Sequence, residues 1–570
     1  MADEQSKVRE IRKRLSQLEQ LRKPYEPMID EVIEYVNHGR RSISGNEAKG
    51  RRTGQQVYDG TAISAAQICA NGLFGYMVAP SIRWFGLTLP VTLNFPRAGG
   101  MRSWSGKKLD EYPGVKEWLQ DYEDVLYASF QRSNFYEVMP GVIYDAVTIG
   151  TVHPYCEEDV KTGRVVFQQP HFRECYFAED QHGRVDTLYR KYPLTLKQLV
   201  EKFGERRLTD IDPNIGTGLE NNPFAEKTVI HAIEPRIEYD KNILNSKNKP
   251  WASYWLFDTG EKLLSESGYD EFPHFTWRWW KNNDEICGRS PAWQAYADIM
   301  IAQSEGKSNL VAGQKMAEPP MVGIDKLRGL VNNRAKGWTW VEDMQDIPRP
   351  LLEGIQLPYA LELQERRAKI IKEAFYVDFF LMLSQAAFQN VDLKVIQIME
   401  MQGEKAAILG VMIGRMQAEL LDPVIDRVAG IEGRAGRLPV PPDIVLEHAG
   451  ERIDVDYLGP LAQAQKRLFK VQSIKQGLEL AGAIASVSPT SLRRVNWDKA
   501  MQIALEESGF PAECIFDDET IKRINAEIER QQQAQAALQG AAEIAKALPG
   551  AAKAAEPGSP LEALMGAAQQ

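Results

Sequence analysis

Apolar residues recur at helical spacing over several long stretches, and at alternating positions over several short ones. Ala62, Ile63, Ala65, Ala66, Ile68, Ala70, Leu73, Phe74 and Met77 follow Asp59, whose carboxylate suits the first-turn N–H groups of a helix. Pro80 stops that helix, and Trp84 and Phe85 supply a large apolar anchor just beyond it. Trp118, Leu119, Tyr122, Val125 and Leu126 predict a helix over 114–133. Alternation and turn pairs such as Thr162-Gly163 and His182-Gly183 predict strands at 165–168, 185–192, 228–233, 253–257 and 272–279. Thr195-Leu196-Lys197-Gln198 fits a capping box, and 204–226 and 241–250 read as loops.

The second half is mainly helical. Ser290 and Pro291 form a cap and first-turn proline for a helix running to about 315. Residues 316–358 are Pro- and Gly-rich with short extended pieces, including Trp338-Thr339-Trp340. A helix is expected at 359–382, then a polar break at 384–392. Next comes a long helix at 394–429 with Leu409, Ile413, Met416, Leu420, Val424 and Val428 on one face. That helix would be roughly 54 Å long, kinked near its end by Pro423. Residues 438–460 read as extended, and helices follow at 460–486, 491–508 and 517–547 before an Ala/Gln/Gly-rich tail.

A chain of 570 residues exceeds one hydrophobic core, so several lobes are expected in an α+β protein. The first residues lack the apolar core of a secretory signal, and no apolar run reaches membrane-spanning length. Cys69, Cys156, Cys175, Cys287 and Cys514 are scattered without a CxxC pair, which fits free thiols. A net charge of −10 argues against a tight grip on DNA, though not against a conduit past which DNA slides.

The basic cluster Lys7, Arg9, Arg12, Lys13, Arg14, Arg22 and Lys23 reads as a solvated helix face rather than a nucleic-acid contact. Trp277, Trp279 and Trp280 read as sheet packing rather than as base-stacking groups. No GxxxxGK[ST], HExxH or GxSxG occurs, the seven histidines lack ligand spacing, and Asp454-Val455-Asp456 is an isolated acidic pair. No enzyme activity, metal or cofactor is expected.

Several stretches carry a resemblance in order. Val57-Tyr58-Asp59-Gly60-Thr61-Ala62 with Trp84-Phe85-Gly86-Leu87 resembles the opening of portal proteins of short-tailed bacteriophages, also called head-to-tail connectors. Gly288-Arg289-Ser290-Pro291 is similar to their YGxSP segment, with Cys287 where Tyr is usual. Ala374-Phe375 to Phe379-Phe380, Gln402-Gly403-Glu404-Lys405 and Met416 through Ile425 resemble their AF…DLF…ELLxPLI stretch. Tyr457-Leu458-Gly459-Pro460-Leu461-Ala462 resembles their Y(I/L)SPLA segment. The usual Thr-Ala-Thr-Glu before the long helix is replaced by Asn390-Val391-Asp392-Leu393-Lys394.

The resemblance implies a mainly helical portal fold, assembled as a ring of about twelve subunits at one capsid vertex of the virion. Double-stranded DNA would be packaged and ejected through it. Terminase, tail adaptor or nozzle proteins, capsid and scaffolding proteins, and internal core or ejection proteins would be partners. It implies a wing over 1–285 and 394–456, stem helices at 286–315 and 359–383, and a clip at 316–358. A tunnel loop at 384–393, a crown at 457–510 and a C-terminal helix, barrel or flexible tail at 511–570 complete it. Gln385, Gln389, Asn390, Asp392 and Lys394 would face the DNA, a hinge between helices being the other reading of that break. Arg334, Trp338 and Trp340 would serve clip assembly and docking. Another phage assembly factor, or a nucleic-acid-binding protein without a visible catalytic site, is the alternative.

Overall fold

The computed structural model describes residues 2–40, 57–89, 113–159, 161–240, 245–318, 320–329, 357–388, 403–448 and 453–458, with 43, 243, 331, 338, 340, 341, 343, 345, 349 and 350. The chain divides into two compact units, Met1–Leu468 and Phe469–Gln570, and only the first holds described residues. The crown expected at 457–510 beyond Leu458, and the segment 511–570 with Cys514, lie outside them.

Helix α1 (Ala2–Arg22) leads through a 3-10 turn to α2 (Glu26–Tyr35). Helix α3 (Thr61–Met77) is the apolar helix expected from the sequence, and β1 (Phe85–Thr88) follows it. Helices α4 (Pro113–Arg132) and α5 (Phe135–Thr148) precede β2 (Thr151–Val152) and the hairpin of β3 (Tyr155–Asp159) and β4 (Arg164–Gln168). Then come β5 (Cys175–Glu179), β6 (Val185–Thr195), α6 (Leu196–Phe203), α7 (Glu205–Ile211), α8 (Asn214–Asn221), β7 (Glu226–Pro235), β8 (Trp251–Phe257) and β9 (Leu263–Tyr269). Strands β5 to β9 form one antiparallel sheet in sequence order.

The period of two decides how that sheet is covered. Ile230, Ala232, Ala252, Tyr254 and Leu256 pack with Val8, Ile11, Leu15 and Leu18 of α1. Val229, Trp255 and Phe257 point the other way, onto Leu196, Leu199, Leu208 and Ile215 of α6 to α8. The capping box forms: Thr195 accepts from Gln198 N, and the Gln198 side chain accepts from Thr195 N. The loop expected at 204–226 instead holds α7 and α8, because Leu208 and Ile215 gain the sheet as a partner.

The basic cluster on α1 is in large part a docking face rather than a solvated one. Arg14 pairs with Glu234 at 2.5 Å, and Arg12 donates to the Phe257 carbonyl at 3.1 Å. Arg22 is buried and donates to the carbonyls of Phe172, Arg173 and Cys175. Arg12 and Arg22 thereby close open carbonyls of strand ends and turns.

The expected strand at 272–279 shrinks to β10 (Trp277–Arg278), paired with β2. Trp277 and Trp279 are buried in the main core, not on the five-stranded sheet, and Trp280 is partly exposed. Ser290 caps the short α9 (Pro291–Gln294), and after a break at Ala295 comes α10 (Tyr296–Ala317). Strands β11 (Met321–Val322) and β12 (Arg349–Pro350) pair antiparallel.

Helix α11 (Leu357–Ala374) ends earlier than expected, and α12 (Val377–Phe388) takes over after Tyr376, whose φ is +56°. The long helix is α13 (Gly403–Met416), a π turn at Gln417–Leu421, and α14 (Asp422–Arg434). Leu409, Ile413, Met416, Leu420, Val424 and Val428 are all buried, as the periodicity predicts. A π turn lies just ahead of Pro423, whose missing N–H removes one bond of the helical ladder there. Within 438–460, expected to be extended, lies α15 (Asp443–His448); β13 (Asp454–Tyr457) then pairs with β1.

Candidate functional site

Asp59 stands where three helices meet. Its Oδ1 accepts from Thr61 N at 2.8 Å, at the mouth of α3. Its Oδ2 accepts from Gln364 Nε2 of α11 at 3.1 Å. Gln303 of α10 completes the junction. Its Oε1 accepts from Tyr58 N at 2.7 Å and Asp59 N at 3.0 Å, while its Nε2 donates to the Asp59 carbonyl at 2.7 Å. Burial opposes ionisation of Asp59, yet the bonds from Thr61 and Gln364 and the field of Lys372 hold its carboxyl below the usual range. Gly306, one turn on, lets α10 approach the Tyr58 backbone, where a Cβ would lie 3.1 Å from the carbonyl oxygen.

Helices α10 and α11 pack along each other as a polar-zipped pair. Arg367 reaches Asp298 at 2.8 Å and Glu305 at 3.6 Å, and Asn309 donates to Gln364 at 3.0 Å. Their outward surfaces mix charged residues such as Lys307, Glu362, Arg366 and Lys369 with exposed apolar ones, Leu310, Val311 and Met316 on one helix and Tyr359, Leu361 and Ile370 on the other. The exposure continues through Met321, Val322 and Ile324 to Trp338 and Trp340, which are 76% and 84% exposed. Those two indoles stack with centroids 5.7 Å apart and planes 21° from parallel. Among the described residues most exposed large apolar side chains lie between Ile301 and Leu381. Exposed large apolar side chains gathered in one stretch of the chain point to an interaction site.

A family model described as bacteriophage head to tail connecting protein matches residues 8–515. The chain belongs to that family. It is 28% identical over 550 residues to the portal protein of Salmonella phage epsilon15, covering 94% of this chain and 94% of that one. It is likewise 28% identical over 561 residues to the probable portal protein of Bordetella phage BPP-1, covering 95% and 96%.

In this connector the stretches that carried the resemblance become junctions. Glu419, within the π turn, accepts from the Arg278 backbone N at 2.9 Å and from its Nη2 at 2.7 Å, and from Arg415 at 3.0 Å. Arg278 is buried and also pairs with Glu179, which Lys281 meets at 2.5 Å. Tyr457 donates to Asp422, and burial first, then that carboxylate, pushes the phenol well up. Sequence reading missed Gln303, Gln364, Arg278 and Glu419 as junction residues. Only Glu419 stood inside a recognised motif.

Of the expected DNA-facing residues, Gln385 falls inside α12, which extends through the first half of the expected polar break. Gln389, Asn390, Asp392 and Lys394 lie outside the described residues, as does Arg334. Trp338 and Trp340 are described, without strand pairing of their own. Among the described residues no cluster of His, Cys, Asp and Glu could hold a metal ion, and no helix is long and apolar enough to cross a membrane. Cys69, Cys156, Cys175 and Cys287 are buried and free, with burial pushing each thiol up.

Proposed function

We propose that this connector is the portal of a phage capsid: a closed ring of about twelve copies at one vertex, through which double-stranded DNA enters and leaves. The observation that carries the proposal is the concentration of exposed large apolar side chains between Ile301 and Leu381, Trp338 and Trp340 among them. A lone chain gains nothing from that exposure, whereas a head-to-tail neighbour would bury it. In this reading α10 and α11 line up as the stem, and residues 316–358 form the clip. Residues 384–393 form the tunnel loop. Residues 1–285 and the long helix form the wing, with crown and C-terminal regions beyond 457.

DNA contact in such a ring is weak and independent of sequence, which suits a chain of net charge −10. Gln385, Gln389, Asn390 and Asp392 would line the bore without strong phosphate bonds, and Lys394 would graze the backbone. The clip, through Arg334, Trp338 and Trp340, would dock the terminase during packaging and tail adaptor or nozzle proteins afterwards. Capsid, scaffolding and internal core or ejection proteins would meet the wing and crown. The test is Trp338→Ala with Trp340→Ala: rings should give way to monomers on a sizing column, and intact rings with full packaging would refute the clip assignment.

A further inference from the structure

A groove of about 660 Å³ opens where α4, the β3–β4 turn and the end of α14 converge. Asp124, Val125, Ala128, Ser129 and Arg132 line it from one face of α4, Thr162, Gly163, Arg164 and Val165 from the turn, and Glu432 and Arg437 from the long helix and its end. That volume lies within the range of about 300–1,000 Å³ typical of ligand clefts. The charges do not balance internally. Asp124 is already paired with Arg83, and Glu432 with Arg437. No ion pair within the described residues takes Arg132 or Arg164, so two exposed guanidiniums face the groove without a carboxylate of their own.

We propose that this groove docks an acidic peptide segment of a separate partner protein, one in which carboxylates flank an apolar residue. Arg132 and Arg164 would each take a carboxylate through their forked N–H donors, and the half-buried Val125 and Ala128 would receive the apolar side chain between them. A phosphate has no use for the apolar floor. A nucleic-acid track needs a longer succession of cations than these two arginines offer. A second copy of the chain is a poorer fit, because none of the three elements carries an exposed large apolar side chain like those between Ile301 and Leu381.

The test uses the full chain and a fluorescein-labelled hexapeptide of alternating Glu and Leu, followed by anisotropy. Saturable binding should weaken at least about tenfold in Arg132→Glu with Arg164→Glu, and should persist in Lys13→Glu, an exposed change on α1. The milder pair Arg132→Gln with Arg164→Gln should weaken it too, which covers misfolding of the charge reversal. A peptide with Lys in place of Glu should not bind, and inorganic phosphate should not displace the acidic one. Unchanged affinity in both double variants, or no saturable binding at all, overturns the proposal. So does a short DNA oligonucleotide that binds at these arginines as tightly as the peptide.

Discussion

Gln303 makes three hydrogen bonds to the backbone of Tyr58 and Asp59, the two to Asp59 buried. Replacing it with Leu keeps the volume and strands two N–H groups and a carbonyl. The chain should lose about 1–3 kcal/mol, read as a lowered denaturation midpoint. Gly72 of α3 offers a different check. A Cβ there would overlap the ring of Phe380 on α12, so Gly72→Ala should cost about 1–3 kcal/mol, and Phe380→Leu in the same chain should recover part of it. Neither Gln303 nor Gln364 was legible in advance. Each lies far from Asp59 in sequence, and a polar residue on a helix carries no local mark of a long-range backbone partner. Asp59 was legible as a cap because its partner is two residues away.

At the scale of elements, legibility followed period. Helix α3 and the buried face of the long helix were readable because apolar residues recur on one side for many turns. The break after α11 was not, since Ala374-Phe375-Tyr376-Val377 contains no Gly or Pro, and Tyr376 takes a left-handed conformation that its residue type disfavours. The five-stranded sheet and the segments packed on it carry their own prediction. His153, His231 and His274 are buried, and desolvation holds all three imidazoles neutral, with His153 pushed down to about 3. His231 stacks on Trp255 at 3.9 Å, and His274 lies 4.6 Å from Tyr155. Their folded pKa values sit below that of the unfolded chain, so unfolding takes up protons in acid. Stability should be whole above about pH 6.5 and fall below it, by up to about 1.4 kcal/mol per pH unit for each histidine. Thermal melts from pH 7.5 to 5 would show this, with His274→Phe giving a shallower slope. A melting temperature independent of pH over that span would contradict it.

At the scale of the whole molecule the proposal is that copies of the chain cover one another's exposed apolar side chains between Ile301 and Leu381. Deleting 385–391 should leave assembly intact and impair packaging or DNA retention, if the segment after α12 touches the DNA as proposed. Packaging assays with unchanged yield would count against that role. Assembly itself is the central claim, and a 64.3 kDa chain closing into about twelve copies would weigh about 770 kDa. Native mass spectrometry of the purified protein, with images down the axis, measures both quantities at once. A single high-mass species enclosing a hole wide enough for a duplex is the predicted result, and a protein that stays monomeric or dimeric at every concentration would contradict the account.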